Sequence, residues 1–470
     1  MNLKLPSVDS VTSINRDGSH YHIHPADVSG RFTWARRAFA GLLLLIYIAL
    51  PWIPINGHPA VFLDTMERRF HLFGLTFAAQ DLWLAFFVIS GLGFSLFYVS
   101  SVLGRIWCGW ACPYTVFLEH VYRRIERWIE GDAPARRKLD TAPLAGAKLA
   151  KRLIKHTLFL LVSFLIAHIF LSYFVSLPRL WGMMGGKPGE HLLAFGVVMG
   201  LTATLYGAFA FFREQFCIMM CPYGRLQSAL TDDNTMVIGY DAKRGEPRGK
   251  PGPGIGDCVN CLRCVQVCPT GIDIRNGLQI ECIGCANCVD ACDAIMDKLA
   301  RPRGLVRYDS FNGLAGGKTR WVRPRIVVYT ALLFAGVAAL TLAVSKIRPY
   351  QAGLTRLPGA PYYVDQEKNV VRNQFQIRLF NKQMKPRTFT LSLANAPEGT
   401  TLSGPEALFT LEPQQERLVA AIVEIPRAVY RGKQSLTLRI VSEPGPVTVE
   451  KEFEFTGPDP RLLDETFLQP

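Results

Sequence analysis

This 470-residue chain has no cysteine outside four short runs, and none after Cys292. A structural disulfide is therefore excluded from the stretch 350–470. Acidic residues are scarce, with 38 Asp and Glu against 52 Lys and Arg and a net charge of +14. No small-residue cleavage pattern follows the first apolar segment, which 37 residues precede, so a signal peptide is not expected. Apolar segments with paired histidines for a b-type haem are not evident. Gly316-Gly317-Lys318-Thr319 lacks the earlier glycine of a phosphate loop, since Asn312 stands there, and no strand precedes it. Nucleotide chemistry is set aside.

What is present is iron–sulfur spacing. Two runs read Cys258-x2-Cys261-x2-Cys264-x3-Cys268-Pro269 and Cys282-x2-Cys285-x2-Cys288-x3-Cys292. Three thiolates at two-residue gaps wrap three corners of an iron–sulfur cube, and the fourth swings out to the other cube. The spacing thus assigns Cys258, Cys261, Cys264 and Cys292 to one [4Fe-4S] cluster, and Cys282, Cys285, Cys288 and Cys268 to the second. Zinc ribbons also open with C-x2-C, but zinc gains nothing from a third evenly spaced cysteine.

Hydrophobic residues make up 49% of the chain and gather in five long segments, 38–55, 82–103, 157–177, 192–212 and 326–344. Between the second and third lie eleven Lys and Arg, among them Arg123, Arg124, Arg127, Arg136, Arg137 and Lys138. The loops after the first and third carry two each, Arg68 with Arg69 and Arg179 with Lys187. Basic segments stay inside, so the N-terminus and all twelve cysteines are expected in the cytoplasm and the C-terminal domain outside. The charge is a topology signal, with some contact to anionic lipid, and needs no nucleic acid. Cytoplasmic thiols stay reduced, which favours ligands over disulfides.

The expected fold is mixed: a polytopic α-helical membrane protein with a bacterial-type two-cluster ferredoxin domain and a C-terminal immunoglobulin-like β-sandwich. Its parts are a flexible tail (1–37), a four-span core (38–230), the ferredoxin domain (231–325), a fifth helix (326–346) and the sandwich (347–470). In 115–130, Phe117, Leu118, Val121, Tyr122, Ile125, Trp128 and Ile129 share one face while Arg123, Arg124 and Arg127 lie opposite. That pattern predicts a helix lying on the inner leaflet. Residues 239–256, rich in Gly and Pro, read as a linker. From 350 onward the period switches to two, as in Phe375-Gln-Ile-Arg-Leu-Phe and Ser435-Leu-Thr-Leu-Arg-Ile-Val, which predicts short strands.

The other two runs, Cys108-x3-Cys112-Pro113 and Cys217-x3-Cys221-Pro222, close the second and fourth apolar segments. Residues four apart on a helix hold their Cβ atoms about 5–6 Å apart. That is wide for a disulfide and suited to two thiolates sharing a soft metal. If the two segments pack together, four sulfurs meet, with the thioethers of Met219 and Met220 beside them. Copper is the ion such donors suit; another cluster, or buried inert thiols, stay open. His20, His22 and His24 alternate in the tail, an incidental triplet or a metal trap, and His168 within the third span fits a hydrogen-bonded packing role.

Three stretches resemble the CcoG family, also called FixG or RdxA, cytochrome c oxidase accessory proteins of bacterial inner membranes. They are Gly104-Arg-Ile-Trp-Cys-Gly-Trp-Ala-Cys-Pro113, Tyr240-Asp-Ala-Lys-Arg-Gly-Glu-Pro-Arg-Gly249 and Cys282-Ile-Gly-Cys-Ala-Asn-Cys-Val-Asp-Ala-Cys-Asp293. Tyr114 stands where the family is associated with Gln. The resemblance implies a Cu(II) reductase that supplies Cu(I) for assembly of the cbb3-type oxidase. It implies as partners the copper-exporting ATPase and oxidase assembly factors; the electron donor is unknown. A quinol dehydrogenase resembling NapH or NosR is the alternative, and a non-enzymatic copper scaffold a third. NosR-like chains would carry a flavin-attachment region where this chain has only a cysteine-free sandwich. Topology is checked with reporters: one fused after Gly457 should behave as periplasmic and one at Asp257 as cytoplasmic, and both on one side would overturn the five-span arrangement.

Overall fold

The computed structural model describes residues 22–464 except 79–80, 82, 145, 346–348, 384 and 405–407. Five helices are long and apolar enough to cross a membrane: Arg31–Trp52, Trp83–Leu103, Gly146–Leu171, Pro188–Phe212 and Pro324–Ser345. Two compact units divide the chain, one of residues 1–74 and 79–341, the other of 75–78 and 342–470.

Two of the helices begin earlier than apolar content alone suggests. The first starts at Arg31 rather than 38, so the described end of the expected tail is ordered. Its first turn is capped from the ferredoxin part: the backbone N–H and the Oγ1 of Thr33 both donate to Asp290 Oδ2 at 2.7 Å. The third starts at Gly146, in a basic stretch. Lys155 on that turn is buried and lies 2.9 Å from the Glu130 carboxylate. Partners distant in sequence make both extensions stable, which no local pattern shows.

The surface helix expected at 115–130 is enclosed on both faces. It runs as Pro113–Phe117, a wide turn at Leu118–Tyr122, and Arg123–Glu130. Leu118, Tyr122 and Ile125 pack on Phe159, Ile166 and Phe209, the apolar contact that the pattern anticipates. The polar face, however, is buried too. Arg123 donates to Glu214 at 2.9 Å and also pairs with Glu119. Glu126 accepts from Arg213 at 2.9 Å and from Arg136 at 3.3 Å. Trp128, expected on the apolar face, is 80% exposed and free to meet lipid. Charges on a lone helix face read as solvated until their counterions arrive from elsewhere in the chain.

Two strands, Val237–Tyr240 and Val306–Asp309, pair antiparallel and bracket the cysteine runs, so the expected linker 239–256 begins inside a strand. The helix Asn287–Lys298 packs in the same core through Val289 and Met296.

The second unit is all-β. One sheet orders its strands 401–403, 416–426, 370–381 and 350–356, with 363–365 also paired to 370–381; the other orders 408–411, 387–394, 434–443 and 447–455. Every pairing is antiparallel. Alternation puts Val371, Phe375, Ile377 and Leu379 inward along 370–381, facing Phe389, Leu438 and Ile440 of the second sheet. This is the sandwich that the period-two pattern predicts.

Burial alone would raise the Glu126 carboxyl, but Arg213, Lys155, Arg136 and Arg123 pull it down to about 2. Glu126→Gln leaves these cations without their shared anion and should cost about 3–5 kcal/mol. Thermal unfolding in detergent checks this. The stabilisation is complete above the ordinary value of 4.5 and lost as pH falls toward 2, so the gap between parent and variant should narrow across that window.

Candidate functional site

The two ferredoxin runs build the same loop twice. Asn260 and Gly284, each just before the second cysteine, have positive φ of 54° and 66°. Leu262 and Ala286, each just after it, have φ of 57° and 60°. The left-handed residue turns the chain into a helix whose first turn carries the third cysteine, Cys264 or Cys288. Asparagine tolerates such a φ. Glycine stands at 284 for a second reason: a Cβ there would lie 3.1 Å from the backbone of Arg105.

Each loop lines its own cavity. One is lined by Cys258, Cys261, Cys264 and Cys292. The other is lined by Cys268, Cys282, Cys285 and Cys288, with Cys264 also on its wall. Cys292 thus lies with the first run and Cys268 with the second. Burial, aided by neighbouring sulfurs, pushes the thiols of Cys264, Cys282 and Cys292 up to about 12. Thiolates in so dry a place need a cation to hold them, and iron in a cube meets that need. Cys261 alone of the eight is exposed. The first cavity therefore faces solvent and the second lies deeper.

The second loop is pressed against the first membrane-edge pair. A Cβ on Gly109, between Cys108 and Cys112, would lie 2.5 Å from the Ile283 carbonyl oxygen and 2.9 Å from the Cys285 nitrogen. Only glycine permits that approach. Arg105 donates one guanidinium arm to the Ile280 carbonyl and the other to the Gly224 carbonyl, joining the second cluster loop to the turn after Cys221. Arg36 donates to the Gly109 carbonyl at 2.6 Å and to Asn287 Oδ1 at 3.1 Å. Trp110 Nε1 donates to the Tyr308 hydroxyl at 3.2 Å, which in turn donates to the Gly284 carbonyl.

The membrane-edge cysteines feel one another. Burial and then the Cys112 and Cys221 charges push the Cys108 thiol up to about 12, and burial, Cys112, Cys108 and Cys221 do the same to Cys217. Cys108 Sγ lies 3.4 Å from Oε1 of Gln227, whose side chain is fully buried. Among the described residues no three His, Cys, Asp or Glu converge as they would on a single ion. Met219 and Met220 are 46% and 58% exposed, on the turn between Cys217 and Cys221.

Of the histidines, His24 is buried with Nε2 2.5 Å from Asp140 Oδ2, so it meets a carboxylate. His22 stacks beside it at 6.5 Å, and His20 lies outside the described residues. His168 Nδ1 lies 2.9 Å from the Phe164 carbonyl of its own helix, the hydrogen-bonded role expected of it. Arg36, Arg105, Gly109, Gly284 and Tyr308 escaped the sequence reading as site residues. Gly109 and Arg105 do stand inside the quoted motif, but nothing local says what they touch.

Anaerobically purified protein should hold about eight iron per chain as two four-iron cubes. Cys268→Ser should damage the cluster built by Cys282, Cys285 and Cys288, seen as loss of one EPR signal. Zinc without labile sulfide would overturn the assignment.

Three family models match in order along the chain: a 4Fe-4S binding domain at residues 83–132, a 4Fe-4S dicluster domain at 212–311, and the IG-like fold at the C-terminal of FixG at 340–458. RdxB of Cereibacter sphaeroides is 35% identical over 85% of this chain and 88% of its own. RdxA of the same organism is 36% identical over 79% and 82%. The nitrogen fixation protein FixG of Rhizobium meliloti is 33% identical over 87% of each. A crystal structure of a FixG-related protein from Vibrio parahaemolyticus aligns with 23% of this chain and 97% of its own, at 13% identity and a TM-score of 0.20, and carries no weight in the assignment. With four apolar helices, the iron–sulfur loops, a fifth apolar helix and a β-sandwich in this order, the chain belongs to the FixG/RdxA family of iron–sulfur membrane proteins.

Proposed function

We propose that this protein is a membrane-bound reductase that converts Cu(II) to Cu(I) at the Cys108, Cys112, Cys217 and Cys221 sulfurs. The observation that carries the reading is the backbone contact of Gly109 with Ile283 and Cys285, which leaves no room for a side chain between cluster loop and membrane-edge pair. When bound, the two cubes supply single electrons, and the step Cu(II) + e⁻ → Cu(I) consumes one. Arg105 and Arg36 hold the two loops in register through four carbonyl and amide contacts. Paired thiolates are soft donors that favour the reduced ion, and the exposed thioethers of Met219 and Met220 offer a place of entry.

The Lys and Arg distribution supports a topology with the N-terminus and the cysteines in the cytoplasm and the sandwich in the periplasm, and the family resemblance supports a bacterial inner membrane. Copper in its reduced form then passes to a copper-exporting ATPase and to assembly of a cbb3-type oxidase. An unidentified soluble donor meets the exposed Cys261 end.

One feature favours the quinol alternative: a largely apolar cavity that Cys282 lines together with Leu103, Ile106, Leu278, Ile280 and Tyr308. Oxidising a quinol releases two protons, and this lining offers no carboxylate or histidine to take them. Copper remains the better reading.

Replacing Cys217 and Cys221 together by Ser should leave both clusters spectroscopically intact. The same change should abolish Cu(II) reduction by the dithionite-reduced, repurified protein. Reduction as fast as in the parent would move copper to the clusters themselves. Oxidation of a quinol analogue by a parent that ignores copper would replace the reading altogether. Four extra irons in the parent, lost in the variant, would assign the four sulfurs to a third cube.

A further inference from the structure

A further cavity is walled by six arginines: Arg36, Arg37, Arg123, Arg124, Arg127 and Arg136. Its acidic lining is limited to Asp27 and Glu119. Glu119 is taken by Arg123. Asp27 pairs with Arg127 and lies 3.8 Å from Arg37 and 4.0 Å from Arg124. His120, also on the wall, adds no charge at neutral pH, because burial and then the Arg36 charge hold it down to about 4.

Burying guanidinium groups without partners is costly, several kcal/mol per uncompensated charge being typical. Yet Arg36, Arg123 and Arg136 are 3%, 4% and 1% exposed. Arg36 Nη2 and the Nε atoms of Arg123, Arg127 and Arg136 have neither solvent nor a hydrogen-bond partner. Glu214 and Glu126 outside the cavity balance part of the charge on Arg123 and Arg136. Arg36, Arg37 and Arg124 have no carboxylate to themselves. The arginines that keep accessible surface on this wall, Arg37, Arg124 and Arg127, share one carboxylate, Asp27, so the wall carries planar donor forks in excess of its acidic groups, which suits a tetrahedral oxyanion.

We propose that this cavity binds a phosphate group, as free phosphate or as the headgroup of an anionic phospholipid. Its place supports both sources. Arg36 and Arg37 sit in the second turn of the first apolar helix, at the rim of the membrane-crossing set. The cavity is also coupled to the second cluster loop: Arg36 donates to Asn287, the residue before Cys288, and its charge reaches Cys285. An anion held there offsets that positive charge and makes electron uptake at the second cluster less favourable. This inference is independent of copper.

The test uses the full, cluster-loaded chain in a neutral detergent at constant ionic strength. Inorganic phosphate is titrated against chloride, and in a separate arm the protein is placed in nanodiscs of phosphatidylglycerol or of phosphatidylcholine. Phosphate, phosphatidylglycerol or both should raise the melting temperature and shift one of two cluster EPR midpoints to lower potential. Removing two charged donors by Arg37→Gln with Arg124→Gln should weaken phosphate binding about tenfold or more. Both side chains are partly exposed, so folding and iron content should be kept. A response to free phosphate alone or to the lipid alone supports the site and names its source. No response to either, or equal binding by parent and double variant, overturns it. An unchanged midpoint at saturating phosphate overturns the coupling to the cluster.

Discussion

The arrangement of both membrane-edge pairs depends on one buried carboxylate. Glu126 sits among Arg213, Arg136 and Lys155, each brought by a different stretch of chain. Arg213 lies four residues before Cys217, and Glu126 lies in the helical run that follows Cys112. The two runs carrying the pairs are therefore tied through a single charge cluster beneath the apolar helices. Arg123 extends it to the ferredoxin part by donating to the Pro269 carbonyl at 3.1 Å, next to Cys268. Apolar helices in lipid have little hydrophobic reason to choose one neighbour over another. Ion pairs with fixed geometry supply that choice, and Arg213 accepts a positive φ of 50° to take part.

Much of the fold was legible because its signals are local. Cysteine spacing, runs of some twenty apolar residues and strict alternation each report a structure within a few residues of themselves. The cysteine runs were legible for the same reason, since their two- and three-residue gaps all lie within single short loops. The site beyond them was not. Gly109 and Gly284 look like ordinary loop glycines until Ile283 and Arg105 arrive beside them, from more than a hundred residues away. Arg123 and Glu126 look solvated until Glu214 and Arg213 meet them.

The paired cluster loops show how one motif serves two settings. Both adopt the same sequence of left-handed residues, yet only the second touches the membrane-edge motif. Asparagine suffices at 260, where the loop faces outward, while glycine is needed at 284, where a backbone passes within contact distance. The repeat is symmetric in conformation and asymmetric in what surrounds it. That asymmetry, together with the exposure of Cys261, distinguishes an inner from an outer loop.

Exposure of Cys261, in a set whose other members are buried or half-buried, also sets where chemical wear begins. Dissolved oxidants and chelators reach that thiolate before any other ligand of either cube. Loss of iron by oxidation or chelation is therefore expected to begin at the cavity that Cys261 lines.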